Sequence, residues 1–577
     1  MGYDYALVHL YYTIPPAVLL TALYKPLLTS TDVYKILFLI FIAVTATIPW
    51  DSYLIRHNVW SYPSDAIVGP TLFRIPAEEL FFFIIQTYNT TLIYLFLSKP
   101  IFHPIYLKSR RTDDWINAKW VGGALILGAL AYGWLLVAQH GKGFYMGLIL
   151  VWATPFVLLL WILAYQLICG LPWTQTLLPV LVPTFYLWVI DTIALRRGTW
   201  IIESGTKLGV QVWRGLEIEE AVFFLATNLL IVLGLVAFDN ALAILISFPK
   251  LYPTITSTPS PALLVRALLM PSTKYDQKRL DGFQDALKTL KRKSRSFYLA
   301  SAVFQGRLRV DLMLLYSFCR VADDLVDNAK SDVDARKSIS KLRDFLDTSY
   351  AGKNVAQLGT IISSFPESSQ LALELLPTQY LPPGPFYALL KGFEMDLEFS
   401  NFFPIQDHTT LELYGARVAG TVAELIIELV YYHTASQTSP AQRRQIVHAG
   451  NTMGVALQLV NIARDIQTDA KIDRVYIPTD WLKEQNLTPK DIIRNPERPE
   501  MIDLRQRLLK YAMDLYYAAR PKIDMLPRDA RGPMRVAVES YMEIGRVLQG
   551  PTYQVKAGRA TVPKLRRIIV AWKALCT

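Results

Sequence analysis

Cysteine is scarce in this sequence. Only Cys169, Cys319 and Cys576 occur in 577 residues, too far apart for a disulfide framework or a zinc pattern. Charge is sparse too: Asp, Glu, Lys and Arg total 19%, against about 25% in an average soluble domain. No Gly-x-Gly-x-x-Gly follows a strand pattern, so no dinucleotide-binding fold is indicated. The N-terminus lacks a basic stretch followed by a small-residue cleavage site, so no removable signal peptide is expected. Disorder is excluded by the 52% of hydrophobic residues, far more than an unfolded chain carries. Apolar and basic residues are abundant instead: 12% are aromatic, the net charge is +11, and the mean hydropathy of +0.26 is high for a soluble enzyme. A basic balance suits nucleic acid, anionic lipid or a phosphorylated substrate.

These averages conceal two halves. Residues 1–250 hold 15 Lys and Arg and 14 Asp and Glu, while residues 251–577 hold 44 and 34. The first half reads as membrane. A span needs about 20 mostly apolar residues, and seven such stretches follow one another, at roughly 3–24, 34–50, 76–98, 119–138, 145–168, 174–190 and 220–247. A soluble helical core rarely strings together so many. Pro15, Pro16, Pro155, Pro179 and Pro183 fall inside them, where neighbouring helices satisfy the freed carbonyls. Residues 248–275, with five prolines among Ser and Thr, read as an extended linker. From 276 to 577 helical periodicity dominates, without alternating strand runs, giving an all-α domain. Seven spans place the two ends of the chain on opposite sides of the membrane. The loop 99–119, with Lys99, Lys108, Arg110, Arg111 and Lys119, shares the side of the C-terminal domain, and the positive-inside rule makes that side cytosolic. The opposite loop 191–214 also carries Arg196, Arg197, Lys207 and Arg214.

The membrane half repeats itself. Asp51, Arg56 and Trp60 recur as Asp191, Arg196 and Trp200, at one constant offset in the numbering. Glu78, Glu79, Phe82 and Phe83 recur as Glu219, Glu220, Phe223 and Phe224, at an offset larger by one. The unit is a span, a loop with Asp, Arg and Trp, and a Glu pair opening the next span. Four spans separate equivalent helices, so the two units run the same way, a parallel repeat. Both Glu pairs are expected at one depth, facing each other across a pseudo-two-fold. A single Glu opening a span is often only interfacial. Two duplicated pairs point to a site, because ionisable groups at membrane depth are costly. Adjacent residues on a helix face different ways, so one Glu of each pair is expected inward and the other at the interface. Two inward carboxylates in a low dielectric do not both ionise readily, which leaves a buried acid beside a carboxylate acceptor.

The segments Arg74-Ile-Pro-Ala-Glu78-Glu79-Leu-Phe-Phe-Phe and Leu216-Glu-Ile-Glu219-Glu220-Ala-Val-Phe-Phe resemble the two repeats of the membrane-type lycopene cyclase domain of fungi and some bacteria, over about residues 1–247. The second repeat departs from the Pro-x-Glu-Glu pattern, with Glu217 in place of proline. The resemblance implies one composite site, with Glu78, Glu79, Glu219, Glu220, Asp51, Asp191, Arg56 and Arg196 as candidate catalytic residues. It also implies a proton-initiated cyclisation of lycopene to gamma- and beta-carotene. Protonating a polyene end makes a carbocation, the ring closes, and loss of a proton restores neutrality. No net redox occurs, so neither flavin nor nicotinamide is needed. Phe82, Phe83, Phe223, Phe224, Trp60 and Trp200 offer faces to the cation, although ordinary packing accounts equally well for any one of them.

The second half carries two Asp-x-x-x-Asp patterns, Asp323 with Asp327 and Asp465 with Asp469, each after an apolar helical run. On a helix such residues lie on one face, about 5–6 Å apart. One instance is most simply a solvated face; two on otherwise apolar helices call for a cation. Mg2+ suits carboxylates and is completed by substrate phosphates. Arg320, Arg464 and Arg474 lie close by and are suited to binding diphosphate. Gln458 and Asn461, seven and four residues before Asp465, share its helix face as neutral polar ligands.

Five blocks then resemble the squalene/phytoene synthase family, in that family's order, over about 280–560: Lys293-Ser-Arg-Ser-Phe297, Tyr316 to Asp327, Tyr414-Gly-Ala-Arg417-Val-Ala-Gly420, Gln458 to Asp469, and Arg474-Val-Tyr476-Ile-Pro478. Asp473 departs from the pattern, standing where glycine is expected. This resemblance implies an all-α isoprenoid synthase fold and head-to-head joining of two prenyl diphosphates. Asp323, Asp327, Asp465 and Asp469 would hold Mg2+, or Mn2+. Arg320, Arg464, Arg474, Gln458, Asn461, Tyr316, Tyr414 and Tyr476 would bind diphosphate or assist its ionisation. Ser294, Arg295, Ser296 and Phe297 would close over the substrate.

Together the two matches resemble the fungal family of bifunctional lycopene cyclase/phytoene synthases. This implies two geranylgeranyl diphosphates joined to phytoene through prephytoene diphosphate, lycopene as the second substrate, a multi-pass membrane protein in lipid, no nucleic-acid partner, and association with a carotenoid desaturase, an activity absent from this chain. A squalene-type synthase anchored by an inert bundle is the alternative; it needs a nicotinamide reductant and leaves the Glu repeat unexplained. A seven-span retinal receptor needs a lysine in the last span, and 220–247 has none.

Overall fold

The computed structural model describes residues 2–108, 113–352, 355–434, 438–550 and 562–577. Arg110 and Arg111 of the basic loop lie outside them. The chain forms two compact units, Met1–Leu280 and Asp281–Thr577.

Seven helices of the first unit are long and apolar enough to cross a membrane: Asp4–Leu27, Ser30–Arg56, Ala77–Ser98, Asn117–Ala138, Phe144–Gly170, Leu178–Arg197 and Ile218–Ser247. One such helix falls on each of the seven apolar stretches. The second and sixth run further than their apolar stretches, so Asp51, Arg56, Asp191 and Arg196 sit on helices rather than in the loops expected for them. The extra turn and a half is amphipathic: Asp51 and Leu54 are buried while Arg56 is exposed. The helix Ser30–Arg56 begins at a capping box, in which Thr29 accepts from the Asp32 N–H and Asp32 accepts from Thr29.

The repeat is physical. The short strand Trp60–Ser61 pairs antiparallel with Ile201–Ile202, and Ser61 lies opposite Ile201, its own counterpart in the second repeat. A pseudo-two-fold axis therefore passes between these two residues. Deeper in the bundle Gln86 donates to Thr227, again its own counterpart, at 2.8 Å, and Thr90 donates to Asn228 at 2.7 Å. Such bonds between helices hold a bundle together where lipid removes the hydrophobic drive. The unit step in the offset between the Asp and Glu parts of the repeat also has a location. In the first repeat the hairpin Thr71–Leu72 to Ile75–Pro76 turns through Phe73 and Arg74, both at positive φ. In the second repeat the turn holds an added residue, Gly215, at φ +95°, and the hairpin is bulged. Glu217, the departure from the Pro-x-Glu-Glu pattern, has φ −69° and ψ 146°, close to the −58° and 148° of Pro76. The substitution leaves the entry to the helix unchanged.

At the other end of the bundle Lys35 and Asp239 form a buried ion pair, and Tyr94 donates to Asp239 at 2.7 Å. Removing one partner of a buried pair leaves an uncompensated charge. Asp239→Ala is therefore expected to destabilise the first unit by about 3–5 kcal/mol, read as a lower midpoint in tryptophan-monitored thermal unfolding in detergent.

The joining segment is less extended than expected. Residues Pro261–Leu268 form a helix capped by Ser260 and bury Leu264 and Ala267. Tyr34 donates to Pro259 O at 2.9 Å, and Arg279 to Ser247 O at 2.8 Å. The prolines open and close short elements here, and the segment belongs to the first unit as far as Leu280.

The second unit is all-helical in its described residues, around one core that includes Phe318, Phe345, Phe386 and Leu459. Two helices bring the Asp patterns in: Gly306–Asp327 and Pro440–Ala470. Beside the latter lies a single wide turn, Ala416–Gly420, with π-helical bonding. Contact there is backbone to backbone. A Cβ on Gly454 would lie 2.7 Å from the Ala419 carbonyl. Gly454→Ala is expected to cost about 1–3 kcal/mol through overpacking, seen as a lower melting midpoint with reduced phytoene formation.

Two candidate active sites

In the first unit the acids of both repeats are buried together with aromatic residues. Glu78, Glu79, Glu219, Glu220, Asp51 and Asp191 are all buried. The two members of each Glu pair do different work. Glu78 accepts from the Val68 N–H and Glu219 from the Leu208 N–H, both at 2.6 Å. Val68 and Leu208 are counterparts, so the first Glu of each pair ties down the preceding loop. The second Glu holds a tyrosine. Tyr5 donates to Glu79, and Tyr145 donates to Glu220 at 2.8 Å. Tyr5 and Tyr145 are counterparts as well, at the same offset as Asp51 and Asp191, and both are buried.

The rings then cross between repeats. Trp200 lies 5.1 Å from Tyr5, and Trp60 lies 5.7 Å from Tyr145, centroid to centroid. Trp200 also donates to Asp191 at 3.1 Å. Each repeat thus supplies the tryptophan that covers the other repeat's Tyr–Glu pair. Phe82 meets Phe224 at 5.9 Å, and Trp50 stacks on Phe223 at 5.4 Å.

The symmetry is broken at Glu79. Tyr62 gives it a second phenol donor at 2.9 Å, and the counterpart of Tyr62 is Ile202. His9, whose counterpart is Ile149, stacks on Tyr5 and hydrogen-bonds Glu78 O at 3.0 Å. It opens a π-helical turn, His9–Thr13, a local irregularity often found at functional sites.

Two expected residues do not join the cluster. Arg56 and Arg196 are exposed, and Arg196 donates to Arg214 O at 2.7 Å, bracing the hairpin turn. Their helical positions, five residues beyond the buried Asp51 and Asp191, turn them outward. Both therefore stand apart from the buried acids that were expected to surround them. Tyr5, Tyr145 and Tyr62 were missed. A tyrosine near the end of an apolar span reads as interfacial; the repeat offset shared by the first two was the available signal.

In the second unit a cavity of about 1010 Å3 contains the expected residues. Its polar lining includes Arg320, Asp323, Asp327, Asp465, Asp469 and Arg474; its apolar lining includes Phe304, Leu389, Phe393, Met453, Leu457 and Val538. Every aspartate pattern is matched by arginine. Arg320 spans Asp323 at 2.8 Å and Asp324 at 2.6 Å. Arg464 binds Asp465 through two bonds of 2.8 and 2.5 Å, and Arg474 reaches Asp327 at 3.0 Å. Gln458 and Asn461 bond each other at 3.1 Å, and Tyr541 donates to Asn461. Ser294 caps the helix Arg295–Ser301, Ser296 bonds Ser540 O at 3.3 Å, and Phe297 packs 6.0 Å from Tyr316. Arg295 is exposed but lines the cavity.

Asp396 was not singled out from the sequence. It is buried, and both expected tyrosines donate to it, Tyr476 at 2.8 Å and Tyr414 at 3.3 Å. Their rings stack at 5.0 Å. Its motif, Met395-Asp396-Leu397, has no Asp at i+4, so the pattern that revealed the other four passed over it. Asp473 sits at φ +58°, which explains why glycine suits this place and why a short polar side chain is tolerated.

Excess negative charge defines this site. Burial, with Asp327 adding to it, pushes the Asp323 carboxyl up to about 7 against the pull of Arg320. Burial and Asp465 push Asp469 up to about 8, and burial pushes Asp396 up to about 6. Such carboxylates are suited to a divalent cation. Among the described residues no three acidic, His or Cys side chains converge on one point.

Comparison with known proteins accords with both sites. The squalene/phytoene synthase family model matches residues 290–566. Over 100% of its length the chain is 58% identical to the bifunctional lycopene cyclase/phytoene synthase of Leptosphaeria maculans, covering 100% of that protein. It is 57% identical to that of Phaeosphaeria nodorum over 99% of the relative, and 56% identical to that of Pyrenophora tritici-repentis over 100%. The match runs through the membrane half as well, so an inert anchor is not favoured. The chain belongs to the bifunctional lycopene cyclase/phytoene synthase family, an enzyme of phytoene synthesis and lycopene cyclisation on one polypeptide.

Proposed function

We propose that the second unit joins two geranylgeranyl diphosphates head to head, through prephytoene diphosphate, to phytoene, and that the first unit closes the rings of lycopene. The observation that carries the synthase reading is the pairing of each aspartate pattern with arginine on the wall of a cavity that also has an apolar lining. Asp323, Asp327, Asp465 and Asp469 would hold Mg2+, which supplies charge neutralisation to the departing diphosphate. The pairs Arg320–Asp323, Arg464–Asp465 and Arg474–Asp327 would open toward such a group, aspartate to the cation and arginine to the phosphate oxygens, leaving neither side chain unpaired. Tyr414 and Tyr476, fixed by Asp396, direct their rings and hydroxyls beside the ionising end. The apolar lining excludes water from the allylic cation.

In the first unit the reading rests on the broken symmetry. Glu79 takes two phenol hydroxyls and is built to hold negative charge; Glu220 takes one. Glu220 is the proton donor and Glu79 the acceptor. Asp51, with both carboxylate oxygens buried and unbonded, and Asp191, with one, keep this end of the bundle acidic. The C-terminal unit lies on the cytosolic side by the charge of the 99–119 loop, and a desaturase is the partner that chemistry requires between the two activities. Product analysis of the full-length protein tests the whole reading. Geranylgeranyl diphosphate with Mg2+ is expected to give phytoene without any reductant, and lycopene is expected to give ringed carotenes. Dependence of the first product on a nicotinamide would overturn it in favour of a squalene-type enzyme.

A further inference from the structure

The last helix, Lys564–Cys576, has two apolar faces. One packs on its own unit, burying Ala571 and Ala574 against Ala300, Val536 and Ala537, and Arg566 pins it by donating to Glu543 at 2.7 Å. The other is exposed. Leu565, Ile568, Ile569 and Trp572 are 70, 45, 45 and 41% accessible, and their spacing of three, one and three residues makes a single stripe. Lys564 and Lys573 lie along it. We propose that this stripe docks the synthase unit on the anionic surface of the bilayer that the same chain spans.

Three observations select lipid as the occupant. The stripe combines leucine, isoleucine and tryptophan with lysines, the composition of helices that lie in the headgroup layer. Residues 251–577 carry ten more basic than acidic residues, which matches an anionic leaflet. The segment also reaches the substrate cavity, since Val562 and Arg567 both line it, and Arg567 bonds Val562 O at 2.7 Å. A bilayer at that place receives a C40 hydrocarbon directly from the cavity. The proposal rests on the reading of seven helices as spans.

The test uses the full-length chain with Cys169 and Cys576 replaced by serine. Cys319, half-buried on the cavity wall, stays, and the signal of the chain with no added cysteine is subtracted as background. Single cysteines at Ile569, at Val333 on the exposed surface of the same unit and at Leu125 on the exposed face of a span carry a polarity-sensitive fluorophore. The protein is placed in nanodiscs of phosphatidylcholine and phosphatidylglycerol with brominated acyl chains. The probe at Ile569 is expected to lose roughly half or more of its emission, as for a helix seated in the headgroup layer, while that at Val333 is unquenched. Lys564→Glu with Lys573→Glu, or omission of phosphatidylglycerol, is expected to relieve the quenching. An unquenched Ile569 probe beside a quenched Leu125 probe overturns the docking. A blue-shifted but unquenched Ile569 probe overturns it too, and assigns the stripe to a second copy or another protein. An unquenched Leu125 probe overturns the span reading itself, and docking with it.

Discussion

Glu220→Gln is expected to abolish ring formation in the full-length protein while phytoene formation continues unchanged. A positioned general acid contributes about 10²- to 10⁴-fold, and the upper end applies because a buried aromatic site offers the polyene no water to supply the proton. Gln keeps the bond from Tyr145 and the packing against it, so loss of activity reports the proton rather than the fold. Glu79→Gln is also expected to block product, but at a later step. With lycopene in D2O, protonation that cannot complete by losing a proton to Glu79 reverses, and deuterium accumulates in recovered lycopene. Glu220→Gln gives no such exchange. The opposite pattern would interchange the two roles, and full cyclisation by both variants would remove the cluster from the chemistry. Tyr145→Phe removes the hydroxyl that stabilises the Glu220 carboxylate left behind by proton transfer, a charge-assisted bond worth about 1.5–3 kcal/mol, so a roughly 10- to 100-fold slower cyclisation is expected.

Asp323→Asn and Asp465→Asn are each expected to end phytoene synthesis while lycopene cyclisation survives. Even outer partners of a metal site typically change affinity or activity by about 10- to 100-fold, and on the proposed reading these residues would touch the ion. Each replacement also strands an arginine, since Arg320 spans Asp323 and Asp324 and Arg464 grips Asp465. A residual rate rescued by raised Mg2+ would support weakened metal binding. Simultaneous loss of both activities would contradict the independence of the two sites.

The boundary between what sequence and tertiary structure contribute can be drawn residue by residue. Features carried by the order of residues were legible: seven apolar stretches long enough to span, two Asp-x-x-x-Asp faces, and a repeat whose offset shifts by one residue. The first two are local, set by run length and helical periodicity, and the repeat is read by comparing the sequence with itself. Features made by residues distant in the chain were not. Tyr5 reaches Glu79 across 74 positions, Lys35 reaches Asp239 across 204, and Tyr476 reaches Asp396 across 80. Each looks ordinary in its own segment. The repeat predicted two facing acid pairs, yet the difference between their members came only from the folded backbone, which aims Glu78 and Glu219 at loop N–H groups and Glu79 and Glu220 at tyrosines. It also turned Arg56 and Arg196 away, because helix continues past the apolar run that defined the span. Composition and spacing by themselves determined that this chain has a membrane half with paired acids and a helical half built for diphosphate. Which acid holds which donor, and so which can give a proton, was decided by packing, since burial and hydrogen-bond partners are properties of the assembled bundle and not of any one helix.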